Sequence, residues 1–278
     1  MARNLLAAGF DVTVHNRTRS KEEPLEALGA GRADSPAEAA QGVDLFITVV
    51  SDIPDVLDVI LGGSGALSGA KTGAVIADMS TIGPKTARTL AEACSDKKVA
   101  FLDAPVSGGT TGAGQGTLSI MVGGPEEALT KARPAFEAMG KTIVHCGPTG
   151  SGQAVKLVNQ IVGIIGLLGV AEGLVFAEQM GLDVGATLQA VGGGAASSWM
   201  LNTLGPRMAA SDFEGFFKVK LQKKDLRIAL EEADELGIPL VFTRLVQQFL
   251  SHAENLGHGE HGTQAVIDVF RHLKQRRN

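Results

Sequence analysis

Tyrosine is absent from all 278 residues, and the chain carries only one tryptophan and two cysteines. Without a phenol, the protein cannot use tyrosine as the proton donor, which removes one common class of carbonyl reductase. Cys94 and Cys146 are too few for a disulfide framework, so a reducing, cytoplasmic setting is expected and no leader segment is. Basic charge is not in excess: 25 Lys and Arg against 30 Asp and Glu give −5, which argues against nucleic acid as a partner. The basic run beginning at Arg271 reads as a solvated helix end. The apolar run Ile161–Ala171 is eleven residues long, short of the ~20 that span a bilayer, so no membrane partner is expected. What the chain does have is 44% hydrophobic residues and 36 glycines, enough for a globular protein with an ample core.

From the amino end, Met1–Ala8 reads as a helix closed by Gly9, and Phe10–His15 as a strand. Leu45–Val50 is a continuous apolar run, expected to be a strand buried on both faces. Gly73–Met79, Val99–Leu102, Thr117–Val122 and Thr142–His145 are further strands. Helices lie between them at Asp55–Leu61, Pro84–Cys94 and Pro125–Met139. Strands alternating with helices indicate an α/β domain with a doubly wound parallel sheet. After Gly150 no strand is convincing, and helices are expected over 153–180, 184–191, 201–210, 218–236, 239–256 and 263–273. The expected domains are therefore 1–149, α/β, and 150–278, all-α. A cleft between such parts is the default place for a ligand. Segment 147–179 is the pivot. A turn rich in glycine opens a long helix with Lys156, Asn159 and Gln160 in its first turns. Residues three and four apart share a helix face, so these side chains can serve one space. Beyond them the helix is apolar all round and is expected to be central and buried. Lys156 by itself reads more readily as a lysine reaching solvent.

In open α/β sheets ligands bind at the carboxyl ends of strands. Three such ends carry small or polar residues: Asn16-Arg17-Thr18, Ser51-Asp52 and Ser80-Thr81. Singly they read as loops and caps; together they suit a nucleotide lying across the strand ends. The second strand of a dinucleotide fold normally ends in an acid that binds the ribose 2′-hydroxyl, whereas here it ends in Asn16-Arg17. Loss of the carboxylate and gain of a guanidinium favour NADP(H) over NAD(H). Ser107-Gly108-Gly109 could expose backbone N–H groups to a carboxylate, or could be a tight turn. Lys224-Asp225 reads as a surface pair on a charged helix face. His258 and His261 read as a polar loop, with no metal expected, and Glu172 as a satisfied structural group on the apolar helix.

The stretches MARNLLAAGFDVTVHNRT, DMSTIGP, DAPVSGGTTGAGQGTLSIMVGG, GSGQAVKLVNQ and KKDLRIAL, in this order over nearly the whole chain, resemble the β-hydroxyacid dehydrogenases. That family includes 3-hydroxyisobutyrate dehydrogenase, tartronate semialdehyde reductase and the glyoxylate/succinic semialdehyde reductases. The resemblance implies a Rossmann domain for 1–149 and a helical substrate and oligomerisation domain for 150–278. It implies Lys156 as general acid/base, and Ser107, Gly108, Gly109, Asn159 and Gln160 at the substrate. At the cofactor it implies Thr81 and Lys224, which join Asn16, Arg17, Thr18, Val50 and Ser51 as the expected cofactor residues. The expected activity is NADP(H)-dependent interconversion of a small 3-hydroxy acid and its semialdehyde by a homodimer or homotetramer. A lysine ammonium suits that chemistry, because it can stabilise a developing alkoxide and protonate it.

Two departures from the family pattern stand out. Gln160 occupies a position where the family often has a second asparagine, and glutamine there leans toward the tartronate-type branch. The family's opening strand and its G-x-G-x-x-G loop have no counterpart, and the sequence begins where that loop gives way to helix. A slot is therefore expected between Phe10–His15 and Leu45–Val50, and the functional protein is expected to carry roughly 10–20 further residues upstream, Met1 being internal. Alternatively the flanking strands close up, or another segment fills the slot. A reductase of another carbonyl or imine substrate, and a cofactor-free relative acting by association, are the competing readings.

Overall fold

The computed structural model describes residues 1–275 and divides into two compact units, 1–156 and 157–278. The division falls inside one helix, a few residues beyond the glycine-rich turn at which the sequence changes character.

The first unit opens with helix α1 (Ala2–Ala7), strand β1 (Thr13–Val14), helix α2 (Glu23–Glu26), strand β2 (Gly31–Arg32) and helix α3 (Pro36–Ala39). Then come β3 (Leu45–Thr48), α4 (Ile53–Leu61), α5 (Ala66–Gly69), β4 (Val75–Asp78), α6 (Gly83–Asp96) and β5 (Ala100–Asp103). The unit closes with β6 (Val106–Ser107), α7 (Gly109–Gln115), β7 (Leu118–Gly123), α8 (Glu126–Met139) and β8 (Gly140–Gly147). Local chemistry sets several starts. Asp52 Oδ1 accepts from the Ile53 N–H (2.7 Å) at the head of α4, and Ser35 Oγ accepts from the Glu38 N–H (3.1 Å) at the head of α3, each satisfying a donor with no partner inside its helix.

Strands β3, β4 and β5 pair in parallel, Leu45 opposite Val75 and Val75 opposite Ala100. The sheet then continues in the order β5-β7-β6, with β8 beside β7. The β5–β7 and β6–β7 pairings are antiparallel, and β7–β8 is parallel. The Rossmann-type parallel part is thus β3–β5, and β7 runs against both β5 and β6. Strand β4 is buried at all four positions, as a central strand must be. Two apolar cores flank the sheet, one built on Val75, Leu102, Ile120 and Phe136, the other on Ile60, Ile76, Leu90 and Phe101.

Strands β1 and β2 form a separate parallel pair, hydrogen-bonded to each other and not to β3. The flanking strands therefore do not close up across the expected slot. Only two residues of Phe10–His15 are in strand conformation, and three of the four β3 positions are half-exposed. The expectation that Leu45–Val50 is buried on both faces is corrected: one edge of β3 lacks a strand neighbour among the described residues.

The second unit is helical. The long helix α9 (Ser151–Gln179) leads into it, followed by α10 (Val184–Gly192), a π-helical turn at Met200–Leu204, α11 (Gly205–Ala209), α12 (Val219–Glu235), α13 (Val241–Ala253) and α14 (Ile267–Gln275). Ile164, Leu167, Ala171 and Leu174 of α9 pack with Leu226, Val246, Leu250 and Ile267 in one core. At 29 residues α9 is long and apolar enough to cross a membrane by length and composition, but its inner face belongs to that core. The expectation of a wholly buried helix is corrected: Val158, Val162 and Phe176 are exposed. So is Glu172, which reads as a solvated carboxylate rather than a buried one. Arg271 is not a solvated helix end either. It is three-quarters buried and pairs with Glu178 (2.5 Å) and Asp268 (3.3 Å). Further along the run Leu273 and Lys274 are exposed on the same helix, and 276–278 lie outside the described residues.

Candidate active site

Within the first unit, the start of α9 is seated on the carboxyl ends of β4 and β5. Asp103, the last residue of β5, is completely buried. Its two carboxylate oxygens accept from the Gly150 N–H and the Gln153 N–H, each at 2.8 Å, so it caps a long helix from a distant strand. Burial pushes the Asp103 carboxyl above its ordinary value against the pull of these backbone donors. Gly152 lies so close to the sheet that a Cβ there would come within 2.4 Å of the Met121 carbonyl oxygen, which requires glycine in this turn. The Gln153 side chain then bonds back to the residues after β4: its Nε2 donates to the Ser80 carbonyl (2.8 Å), and its Oε1 accepts from Ile82 N (3.0 Å) and Gly83 N (3.2 Å).

Lys156 follows one turn later on the same helix and is only 7% exposed. The reading of a lysine reaching solvent is corrected by this burial. An ammonium is costly to desolvate unless it is partnered.

Strand ends β3 and β4 meet through Val50, whose N–H donates to Ser80 Oγ (2.9 Å); Ser80 Oγ in turn donates to Asp78 Oδ1 (2.7 Å). Val50, Ser80 and half-buried Thr81 are therefore brought together, with Ser51 exposed beside them. The loop after β1 is exposed at Asn16, Arg17 and Thr18. Asn16 Oδ1 accepts from the Thr18 N–H (2.8 Å), closing the turn, and the Arg17 side chain is 90% exposed while reaching Asp55 at 3.2 Å. Glu22 is the nearby acid, but it is turned inward, 1% exposed, against the Asn16 N–H, Arg19 and Arg32. Burial alone would raise its carboxyl; the hydrogen bonds from Arg32 and Asn16 and the charge of Arg19 outweigh this and hold it below the ordinary range. The outward face of the loop thus offers a guanidinium and no strand-end carboxylate.

Ser107 ends the short strand β6, and Gly108 and Gly109 follow with φ of +133° and +63°. These values demand glycine and fit both a tight turn and an exposed row of N–H donors; Gly108 and Gly109 are both exposed.

In the second unit, Asn159 Nδ2 donates to Gln160 Oε1 (2.9 Å), and Gln160 Nε2 donates to Asp225 Oδ2 (2.5 Å). Asp225 pairs with Lys224 at 2.8 Å, their side chains 1% and 11% exposed. The surface-pair reading of Lys224-Asp225 is corrected: it is a buried ion pair of α12. Gln160, itself buried, links that pair to Asn159. Asp103, Gln153 and Asp225 were not singled out from sequence as functional groups. Asp103 heads the DAPVSGG motif and Gln153 lies in GSGQAVK, so the motifs contained them, but their partners are 47 to 73 residues away. His258 and His261 face each other at Nδ1 (2.9 Å), with Asp268 3.2 Å from His258 Nε2.

Residues 1–147 match the family model described as the NAD binding domain of 6-phosphogluconate dehydrogenase. Residues 150–270 match the model described as NAD-binding of NADP-dependent 3-hydroxyisobutyrate dehydrogenase. The chain belongs to the β-hydroxyacid dehydrogenase family. It is 38% identical over 270 residues to 2-hydroxy-3-oxopropionate reductase of Escherichia coli, covering 97% of this chain and 92% of the relative. It is also 38% identical over 240 residues to the NAD-dependent L-serine dehydrogenase of Pseudomonas aeruginosa, covering 84% and 80%. A solved structure of Mycobacterium tuberculosis 3-hydroxyisobutyrate dehydrogenase with L-serine superposes with a TM-score of 0.88 at 30% identity, covering 97% and 94%. A Rossmann-like sheet followed by a helical part, and an NAD(P)-dependent hydroxyacid oxidoreductase, are what this membership establishes.

Proposed function

We propose that this dehydrogenase interconverts a small 3-hydroxy acid and its semialdehyde with NADP(H), in the class of tartronate semialdehyde, glyoxylate, succinic semialdehyde or 3-hydroxyisobutyrate. The observation that carries the reading is the buried Lys156, on a helix whose first turns are fixed to two strand ends. The strand-end residues suit a dinucleotide: Arg17 for a 2′-phosphate, Asn16 and Thr18 on the same loop, Val50 and Ser51 after β3, and Thr81 toward the nicotinamide ribose. Lys224 would take part in holding the cofactor. When bound, the nicotinamide supplies the hydride in reduction and accepts it in oxidation. The Lys156 ammonium hydrogen-bonds the carbonyl oxygen, stabilises negative charge as it develops there and donates the proton that completes the alcohol; in oxidation the neutral amine takes that proton back. Ser107, Gly108 and Gly109 would bind the substrate carboxylate and fix the carbonyl's register. Asn159 would bind the substrate. Gln160 would stand at the substrate beside Asn159, from which its Oε1 accepts, while its Nε2 donates to Asp225 and Gln222.

Arg17 favours NADPH, although the L-serine dehydrogenase relative is named as NAD-dependent. Both cysteines are free, which suits a reducing, cytoplasmic setting. A homodimer, or a tetramer built from it, suits the exposed apolar stripe of α9. The test is titration with NADPH followed by turnover of 2-hydroxy-3-oxopropionate. Saturable binding and reduction are expected; no binding of NADPH would favour a cofactor-free relative acting by association, and binding with turnover only of another carbonyl or an imine would favour that substrate class.

A further inference from the structure

Gln153 lies one turn before Lys156 and has no exposed surface. Its side-chain bonds reach Ser80 on one side of Thr81 and Ile82 and Gly83 on the other. Ile82 and Gly83 stand at the head of α6, where backbone N–H groups have no partner inside the helix. One amide group thus caps α6, holds the loop through Thr81 from both ends and ties it to the helix turn that leads to Lys156. Its own backbone N–H is held by Asp103.

The arrangement demands this side chain. Accepting from two N–H groups while donating to a carbonyl takes an acceptor and a donor on one planar terminus, which an amide has. A glutamate of the same shape would keep the acceptors but set an oxygen against the Ser80 carbonyl. A methionine would fill the space and leave three buried backbone groups without their partner, a costly outcome. Asparagine is one methylene shorter.

We propose that Gln153 is a positioning residue for this enzyme: it fixes the Thr81 loop relative to Lys156, so that the cofactor-side loop and the proton donor keep one spacing. The inference rests on the assignment of Lys156 as proton donor. Small misplacements of reacting groups can cost ~10²-fold in rate, so a bond network that touches no substrate can still set turnover.

The experiment uses the full chain as Gln153→Met, Gln153→Glu and Lys156→Ala beside wild type. Amide hydrogen exchange is read in the cofactor-free protein, and kcat and KM are measured with NADPH and 2-hydroxy-3-oxopropionate. Gln153→Met should speed exchange at Ile82 and Gly83 while the β4 and β5 amides stay protected, and lower kcat by ~10–100-fold with KM changed much less. Gln153→Glu should keep protection at Ile82 and Gly83 and still lose turnover, which separates loop geometry from general loosening; it also serves if Gln153→Met does not fold. Unchanged exchange at Ile82 and Gly83 in Gln153→Met, or unchanged kcat in both Gln153 variants while Lys156→Ala is impaired, overturns the proposal. Full turnover in Lys156→Ala overturns the lysine assignment instead, and exchange at Ile82 and Gly83 then still reports whether Gln153 holds the loop.

Discussion

Lys156 and Arg17 place opposite demands on a side chain. Lys156 is buried and Arg17 almost fully exposed, and each exposure suits its proposed work. A proton donor gains from exclusion of water, because its charge then acts in a low dielectric. Lys156→Ala is expected to lower kcat by ~10²–10⁴-fold with NADPH affinity nearly unchanged; steady-state kinetics beside a fluorescence titration checks both, and a variant keeping most of its turnover would refute the role. A residue that reads a 2′-phosphate must instead wait in solvent. Arg17→Ala should weaken NADPH binding by ~10–100-fold, the range of a charge-assisted hydrogen bond, and NADH binding far less. Equal losses would make Arg17 structural, through its contact with Asp55. The chemical types of these residues were legible in the sequence, whereas their burial was not. Nothing local distinguishes Lys156 from a lysine at a helix mouth, or Asp225 from a surface acid; Asp225 is met by Gln160, 65 residues away in the chain.

At the scale of elements, apolar runs and glycine punctuation located the strands β3, β4, β5 and β7 and the helix α9 to within a few residues. The helix α7 escaped because GTTGAGQ holds three glycines, and glycine opposes helix by ~1 kcal/mol per residue; the turn at Gly108 and Gly109 and its place against β7 override that preference. The reversal of direction at β5–β7 was invisible because alternation reports faces of a strand, not the sense of its neighbour. The small β1–β2 pair depends on Glu22, which ties both strands' ends together through the Asn16 N–H and Arg32. Its folded-state carboxyl is held below the ordinary value of 4.5, so its stabilisation is present above that value and is lost as pH falls through the lower, folded-state one. Glu22→Gln should therefore lower the Tm at pH 7, and the gap to wild type should narrow steadily below pH 4.5. A gap that is constant with pH would show that shape, not charge, is what Glu22 contributes.

For the whole molecule, the outer face of α9 is where the proposed homodimer would form. Val158, Val162, Phe176 and Met180 are 58%, 67%, 65% and 62% exposed, and exposed Gly166, Gly169 and Gly173 lie along the same face. A Cβ built on any of these three glycines would meet nothing within 4 Å, so no neighbour among the described residues requires them, although each weakens the helix by ~1 kcal/mol relative to alanine. A body outside the chain that approaches the helix backbone closely would require them. In the proposed homodimer a second copy of α9 would run antiparallel, a two-fold axis between residues 167 and 168 setting Gly166 against the partner's Gly169 and Val162 against the partner's Gly173. The same axis would set Val158 beside the partner's Phe176, so that each bulky side chain would meet a small or apolar one, the self-complementarity a two-fold interface requires. A stripe of this kind is of the order of 300–600 Å², the core of an interface that needs ~800 Å² per partner. Light scattering on wild type should give the mass of a dimer or of a multiple of it. Val162→Glu places two carboxylates in the seam and should shift the mass to one chain at micromolar concentration. Gly173→Leu should do the same by bulk, with far-UV circular dichroism unchanged because the side chain points into open space in the single chain. A monomeric wild type, or two variants that keep the wild-type mass, would remove α9 from the interface.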